Sequence, residues 1–416
     1  MKNKFTKEER NWILYDVGNS AFTLLVTTMM PLYFNSLAAA GGVSEVDYLA
    51  WWGYAASIST AIVAILGPII GTITDTEGYR KPLFTVFVIL GAVLCIMLGL
   101  AKQWVLFLVL FILAKVAYST SLVIYDSMLS DVTTEDRFSN VSSQGYAWGY
   151  IGSCVPFVIS LILVLMHESI GLTMGTAMLC AFVINAVWWG AFTIPLLKSY
   201  KQKHFVKKSE RLALTESFKR IGKTLSHIKD HKGIFLFLLA FFFYIDGVYT
   251  IIDMATAYGS AIGLDSTALL LALLVTQIVA FPFAILFGKL ASKKKTSTLI
   301  SVCIFAYLCI ALFAITLASE WQFWVLAICV GMFQGGIQAL SRAYFTKIIP
   351  AEQSGEYFGL YDICGKGAAF LGTFIVSFVT QLTNSTQLGV GAISVMFVIG
   401  FFLFRKAAKA NIQIAD

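Results

Sequence analysis

Polar residues in this chain come in short bursts between long apolar runs, and the bursts are too brief to cover a soluble surface. A bilayer crossing takes about 20 predominantly apolar residues. Twelve runs meet that length: 12–37, 48–74, 82–101, 104–128, 143–166, 172–197, 233–262, 267–288, 297–318, 322–345, 357–381 and 387–404. Most connections between them are only a few residues long. The exception, 198–232, divides the chain into a six-span half at 1–197 and a second at 233–416. The pattern predicts an all-α membrane protein of twelve transmembrane helices in two six-helix halves, with no soluble domain.

Composition agrees. The chain is 58% hydrophobic and 13% charged, about half the charge of a soluble domain. The seven cysteines all fall inside apolar runs without CxxC pairs or partner histidines, so they read as small buried hydrophobes and predict neither disulfides nor a metal site. The charged start "MKNKFTKEER" precedes an apolar run too long for a signal peptide, and the first span is expected to be kept.

The net charge of +7 matters less than its placement. With the N-terminus inside, 27 of the 30 Lys and Arg fall on inside segments, so both termini are expected to be cytoplasmic. Eleven of these basic residues crowd 198–232. That segment reads as a positive-inside linker whose apolar positions (Leu212, Phe218, Ile221, Leu225, Ile228) form an amphipathic helix at the anionic inner leaflet, rather than as a nucleic-acid site.

Charges inside the spans are few, and they are not scattered. Span 1 carries Asp16, span 4 Lys115 and Asp126, span 7 Asp246 and Asp253, and span 11 Asp362 and Lys366, while Arg342 closes span 10. Spans 3, 6, 9 and 12 carry none. Ionisable groups in a bilayer face a cavity or one another. Spans 1, 4, 7, 10 and 11 therefore should line a polar interior, with 3, 6, 9 and 12 as lipid-facing support.

Helical phase groups the polar residues further. Asp16, Asn19 and Thr23 share a stripe, as do Lys115, Tyr118 and Asp126, and Gln334, Gln338, Ser341 and Arg342. Asp246 and Asp253 lie about 10 Å apart along one face, with Tyr249 between them. Asp362 and Lys366 have the favourable i,i+4 order for an intrahelical pair, which reads first as structural or gating. Asp16 and Asp126, near the inner end, suit gate or substrate contact equally. Asp246 and Lys115 sit near mid-membrane on opposite halves. They serve either as a salt bridge holding the halves together or as coupling groups, and the apolar surroundings of Asp246 suit reversible protonation.

Between spans 2 and 3 runs "GTITDTEGYRKP", with Gly71, Asp75, Gly78, Arg80 and Lys81. This resembles the signature loop of the major facilitator superfamily. Gly71 would let two helices approach closely, and Asp75 would cap a facing helix N-terminus and pair with Arg80 as a latch. Thr76 stands where the signature has an arginine, and the loop after span 8, "GKLASKKK", keeps Gly288 but has Ser292 in place of an acid. "WILYDVGNSAF" (12–22), "YDSMLSD" (125–131) with "GYAWGYIGS" (145–153), and "GGIQALSRAYFTKIIP" with "EYFGLYDICGK" (335–350, 356–366) are similar to the vacuole-effluxer-like transporters, which include the autophagy-related fungal vacuolar effluxers and their bacterial relatives. Val17-Gly18 and Ser130 depart from that pattern.

The resemblance implies a secondary transporter, with amino-acid efflux the best-known role among relatives. It implies a cavity lined by spans 1, 4, 7 and 10, with Asp16, Asn19, Asp126, Gln338, Arg342, Asp362 and Lys366 at the family's polar positions. The expected function is alternating-access transport of a small polar organic solute, an amino acid or similar zwitterion, coupled to protons. The alternative is a lipid or amphiphile flippase or scramblase, or a multidrug-type exporter, on the same fold. Expected substrate or coupling residues are Asp16, Asn19, Lys115, Asp126, Asp246, Tyr249, Asp253, Gln334 and Gln338. Expected gating residues are Gly71, Asp75, Gly78, Arg80, Lys81, Arg342, Asp362 and Lys366. The four histidines stand in loops with no carboxylate arrangement legible in the sequence, and HExxH, GxSxG and Walker motifs are missing, so an enzyme or ATP-driven pump is not expected. No cofactor, metal or nucleic-acid partner is expected. The expected partners are a small solute, protons and the bilayer, in a monomer. The membrane would be the plasma membrane in a bacterium, or a vacuolar-type membrane in a fungus.

Overall fold

In a computed structural model, residues 4–207, 231–261, 266–317 and 319–411 are described. The amphipathic stretch at 208–230 and the side chains of Asp253 and Lys366 lie outside the described residues. Each predicted span n is a helix αn. α1 has two segments, Lys7–Thr27 and Met29–Ala40; α2 is Glu45–Thr74, α3 Arg80–Leu100, α4 Trp104–Ser127, α5 Phe138–Leu165 and α6 Met174–Ser199. In the second half α7 is Lys232–Ala261, α8 Ser266–Ala291, α9 Thr296–Ala314, α10 Glu320–Ile348 and α11 Ser354–Thr383; α12 has the segments Thr386–Gly391 and Ser394–Ala410. Among the described residues, all but α11 hold a stretch long and apolar enough to cross a bilayer, and the searched apolar part of α11 is Leu371–Thr383. The described residues contain no sheet, only one isolated parallel bridge between Thr76 and Val206.

Two departures from the hydropathy reading have local causes. α1 breaks at Thr28 because Pro31 has no N–H to bond the carbonyl of residue 27. α5 starts at Phe138, not 143, because its first turns carry hydroxyls (Ser139, Ser142, Ser143) that are buried against the second half. These residues look like loop to a hydropathy window.

Helix packing repeats with an offset of six. α1 packs on α5 and α6, α2 on α4, and α3 on α4 and α6; in the second half α7 packs on α11 and α12, α8 on α10, and α9 on α10 and α12. The apolar core divides the same way, into one cluster almost wholly from residues 12–200 and another almost wholly from 234–407. Between the halves α2 meets α11 and α4 meets α11, mirrored by α8 on α5 and α10 on α5. The two halves are therefore equivalent bundles related by an approximate two-fold.

Of the spans with charge inside the membrane, α4, α7 and α10 are most buried, followed by α1. α9, expected to be lipid-facing support, is as enclosed as α1, because α10 and α12 cover it. α3, in contrast, shows Val86, Ile89, Leu90, Val93 and Met97 on its outer face, as a lipid-facing helix should.

Both described ends lie on one face of the bundle. Asn11 bonds Ser199 at 2.8 Å, and Asn411 abuts Gly233 at the start of α7. The loops 2–3, 4–5, 8–9 and 10–11, and residues 200–207 after α6, share this terminal face by helix parity.

Candidate functional site

Three features build the site, two at the terminal face and one toward the opposite side. The first surrounds Asp75. Its Oδ1 accepts from the Gly355 N–H at 2.7 Å and its Oδ2 from the Glu356 N–H at 2.9 Å, so the carboxylate caps the N-terminus of α11. That is where a helix presents unsatisfied donors and a positive dipole end. The approach depends on glycine: a Cβ on Gly71 would lie 2.1 Å from the Gly355 carbonyl oxygen, so the α2 and α11 backbones touch. Gly78 holds a left-handed φ of +80°, which turns the loop so that Arg80 can point back inward. Arg80 bonds Asp75 at 2.7 Å, Asp131 at 2.8 Å and Ser354 Oγ at 3.0 Å, with all three charged side chains fully buried. Lys81 is exposed at the terminal face.

A strap from the start of the linker closes over this cluster. Asp131 accepts from Tyr200 Oη at 2.5 Å and from the backbone N–H groups of Lys203 and His204 at 3.0 and 2.9 Å, and His204 Nδ1 lies 3.0 Å from it. Val206 donates its N–H to the Asp75 carbonyl at 2.8 Å and accepts from Glu77 at 3.1 Å, and Gln202 spans Thr74 and Gly78. The hydrogen bond to Asp131 raises the His204 imidazole above its ordinary range, while burial works against it. Burial alone would raise Asp131, but the His204 bond, the Arg80 charge and Tyr200 hold it below the usual carboxylate range. His204 thus corrects the reading of the histidines as standing apart from carboxylates: the pairing spans 73 residues and has no local signature.

The second feature is Arg342, which crosses between the halves toward the terminal face. From α10 it bonds Asp126 of α4 at 2.9 Å, Asp16 of α1 at 3.2 Å, and the Ser142 hydroxyl and carbonyl of α5 at 2.9 and 3.1 Å. Its guanidinium lies 4.4 Å from the Tyr146 ring centroid, 4.6 Å from Trp12 and 5.6 Å from Tyr125, close enough for cation–π attraction. Asn19 donates to Asp16 at 3.1 Å. Further out along α10, Gln338 accepts from Tyr150 Oη at 2.9 Å.

The third feature is a cavity of about 160 Å³ on the side away from the termini. Thr23 and Thr27 of α1 face Thr250 and Met254 of α7, Thr276 and Gln277 of α8, and Gln334 of α10, in a lining otherwise aliphatic and aromatic. Thr250 connects it to Asp246, donating at 3.3 Å to Oδ1, which also accepts from the Gly372 N–H of α11 at 3.1 Å. Asp246 is fully buried and its Oδ2 has no hydrogen-bond partner among the described residues.

Among the described residues Asp246 makes no ion pair, and Lys115 lies over the Phe111 ring at 5.8 Å. The predicted stripe residues split into groups: Asp16, Asn19, Asp126, Gln338 and Arg342 gather toward the terminal face, and Gln334 lines the cavity. Tyr249 packs beside the second-half core, and Asp362 is partly buried on α11. Glu9, Asp131 and Arg137 escaped sequence reasoning. Glu9 is buried and takes a bidentate pair from Arg137 at 2.7 and 2.7 Å, tying α1 to the loop before α5. The acid closing "YDSMLSD" was the one available signal for Asp131.

Comparison with known proteins agrees with this architecture. The family model described as "Vacuole effluxer Atg22 like" matches residues 5–409. The chain is 43% identical over 408 residues to the uncharacterized MFS-type transporter YxiO of Bacillus subtilis, covering 97% of this chain and 95% of that one. It is 21% identical to autophagy-related protein 22 of Vanderwaltozyma polyspora, covering 94% and 89% of the two chains. In fold it is similar to the major facilitator transporter FucP in its outward conformation, with a TM-score of 0.73 at 12% identity over 96% of this chain and 97% of that one. It is also similar to the human organic anion transporter MFSD10, with a TM-score of 0.71 at 13% identity over 95% and 99%. Twelve helices in two equivalent halves, with matches along almost the whole length, make this chain a multi-pass major facilitator transporter of the Atg22-like vacuole effluxer family.

Proposed function

We propose that the protein moves a small solute with a charged end and an apolar body, an amino acid or close relative, by alternating access of α1–α6 against α7–α12, coupled to protons. The observation that carries this reading is one-sided closure. At the terminal face, taken as cytoplasmic from the placement of Lys and Arg, buried charges join the halves through Asp75, Arg80 and Arg342. The cavity lies on the other side. A carrier needs such a seal, made of contacts that can be broken and remade. In this reading Gly71, Asp75, Gly78 and Arg80 form a latch, with Lys81 beside it, and Arg342 is the inner gate.

Thr23, Thr27, Gln277 and Gln334 supply hydrogen bonds for a polar end, and Leu273, Phe323, Leu326 and Val330 an apolar wall. Asp246 carries the coupling proton. It sits one hydrogen bond behind the cavity, and its unpartnered Oδ2 leaves a place for a proton. Its partners are two donors, Thr250 and Gly372, not the ring of oxygens a sodium ion would need.

The test is a proteoliposome panel of amino acids, peptides, organic acids and lipids, each with and without a pH gradient. The proposal expects gradient-driven flux of a zwitterion. Asp246→Asn should abolish gradient-driven flux and spare counterflow exchange; gradient-driven flux unchanged in that variant contradicts the proton role. The mostly apolar lining favours amphiphile export as the second reading, and lipid flipping without solute flux would decide for it.

A further inference from the structure

The environment of Arg342 divides unequally between the halves. Among the described residues, the groups that bond the guanidinium or lie under it all come from the first half: two carboxylates (Asp16, Asp126), three rings (Trp12, Tyr125, Tyr146) and both Ser142 oxygens. These first-half groups also hold one another in place. Trp12 and Tyr125 stack at 4.5 Å and 15°, Trp12 Nε1 donates to the Tyr125 carbonyl at 3.2 Å, and Tyr125 Oη donates to the Trp12 carbonyl at 3.0 Å. Asn19 steadies Asp16. Gly145 leaves the space: a Cβ there would lie 2.2 Å from Asp16 Oδ2 and 3.2 Å from the Arg342 Nη2. The first half thus presents a built cage of two acids and three aromatic faces, and a cation already sits in it.

Separating the halves at the terminal face would withdraw Arg342 and leave two carboxylates in an aromatic pocket. A buried charge left without its partner is costly, typically several kcal/mol. We propose that, when the halves part, this cage is a binding site for an organic monocation with a guanidinium or primary ammonium head, which enters from the terminal face and takes the place of Arg342. The inference rests on the alternating-access reading above and adds to it a second site, distinct from the cavity, with its own side of entry and ligand class. Arg342 is then an internal competitor: ligand binding and gate closure exclude each other. The cage also sets an order of preference. All three guanidinium nitrogens of Arg342 are bonded, to Ser142, Asp126 and Asp16. A guanidinium should therefore bind best, a primary ammonium next, and a quaternary ammonium, which has no N–H, poorly.

The test is equilibrium binding of radiolabelled methylguanidine to the full-length protein in lipid nanodiscs. Arg342→Ala, which vacates the cage, should bind one methylguanidine at least about tenfold tighter than the unmodified protein, a difference of about 1.4 kcal/mol. Adding Asp16→Asn to that variant should lose the gain, and tetramethylammonium should not compete. Asp75→Asn keeps Arg342 and the cage and weakens only the α2–α11 seam, so it should raise methylguanidine affinity several-fold by populating the open form. No binding to Arg342→Ala overturns the cage. Binding to Arg342→Ala without any gain from Asp75→Asn overturns the claim that opening vacates it. Should Arg342→Ala fail to fold, the Asp75→Asn arm decides alone: a gain removed by Asp16→Asn supports the proposal, and no gain overturns it. Binding requires no transport, so the readings separate. Solute flux without methylguanidine binding refutes the cage alone, and binding without flux refutes the transport reading.

Discussion

The approximate two-fold places two seams at the terminal face, α2 against α11 and α8 against α5, and they are closed by different chemistry. In the first, Asp75 caps α11, Arg80 joins Asp75 to Asp131, and the strap at 200–206 covers all three. In the second, Ser292 stands at the position equivalent to Asp75; it is exposed and bonds its own Lys289 carbonyl at 2.7 Å. Beside it α5 reaches the second half through hydroxyls, Ser139 to Thr296 of α9 at 3.2 Å and Ser142 to the Ala339 carbonyl of α10 at 2.8 Å. Glycine follows the same asymmetry. A Cβ on Gly71 would strike a backbone oxygen at 2.1 Å, whereas one on Gly288 would meet the Ser143 side chain at 2.7 Å. Two seams of one geometry thus have unequal strength. In the proposed alternating-access cycle the charged one is the lock, and the hydroxyl one slides.

This comparison predicts a graded set of effects. The largest belongs to Asp75→Ala, which leaves Arg80 and the α11 amides without their acid. Breaking a buried pair costs about 3–5 kcal/mol, and thermal unfolding in nanodiscs should show the loss for Asp75→Ala but not for Ser292→Ala. Next come the glycines. Gly71→Ala must push two backbones apart from a 2.1 Å approach and should cost more than Gly288→Ala, where the approach is 2.7 Å and falls on the Ser143 Cβ; equal costs in the same melting assay would contradict the asymmetry.

The smallest effect is pH dependence at the strap. His204 is raised by its bond to Asp131, so its stabilising contribution is full at low pH and is lost as pH rises through its folded-state value, above the ordinary imidazole range. Asp131 is lowered, so its contribution is lost only as pH falls below the usual carboxylate range. The strap should be tightest between those limits. The other charges facing His204 are Glu352 from the loop before α11, which favours its protonation, and Arg80, which opposes it. His204 is more than a third exposed, so the effect is below about 1 kcal/mol. Hydrogen exchange at Val206 should speed up as pH rises from 6 to 9 beyond the intrinsic base catalysis of exchange, and His204→Gln should remove that excess.

Most of the fold was legible because crossing a bilayer imposes a length and a polarity on every span. The twelve runs, and the charge-free apolar runs at 82–101 and 172–197, followed from hydropathy alone. The break at Thr28 was missed because both sides of it are apolar, although Pro31 marks it. α9 was misjudged because freedom from charge does not show whether lipid or another helix covers a surface.

The site was legible as residues but not as contacts. Asp16, Asp126 and Arg342 stood out as rare charges, yet their meeting spans 326 and 216 residues of sequence. The division of the Arg342 cage between the halves exists only in three dimensions. The strap stayed hidden for another reason: Tyr200, Gln202, His204 and Val206 act largely through backbone bonds and single contacts, inside a segment whose basic composition reads as a plain linker.

The central claim is that the Asp75 seam holds the terminal face shut. Its most direct test is an electron-spin distance measurement in nanodiscs. Labels go on cysteines replacing Lys81 and Glu352, exposed residues of opposite halves at that face, in a protein cleared of its seven native cysteines. The unmodified seam should give a short, narrow distance distribution, and Asp75→Asn should move much of it to longer distances, while Ser292→Ala leaves it in place. A distribution unchanged by Asp75→Asn, or shifted equally by Ser292→Ala, would contradict the account.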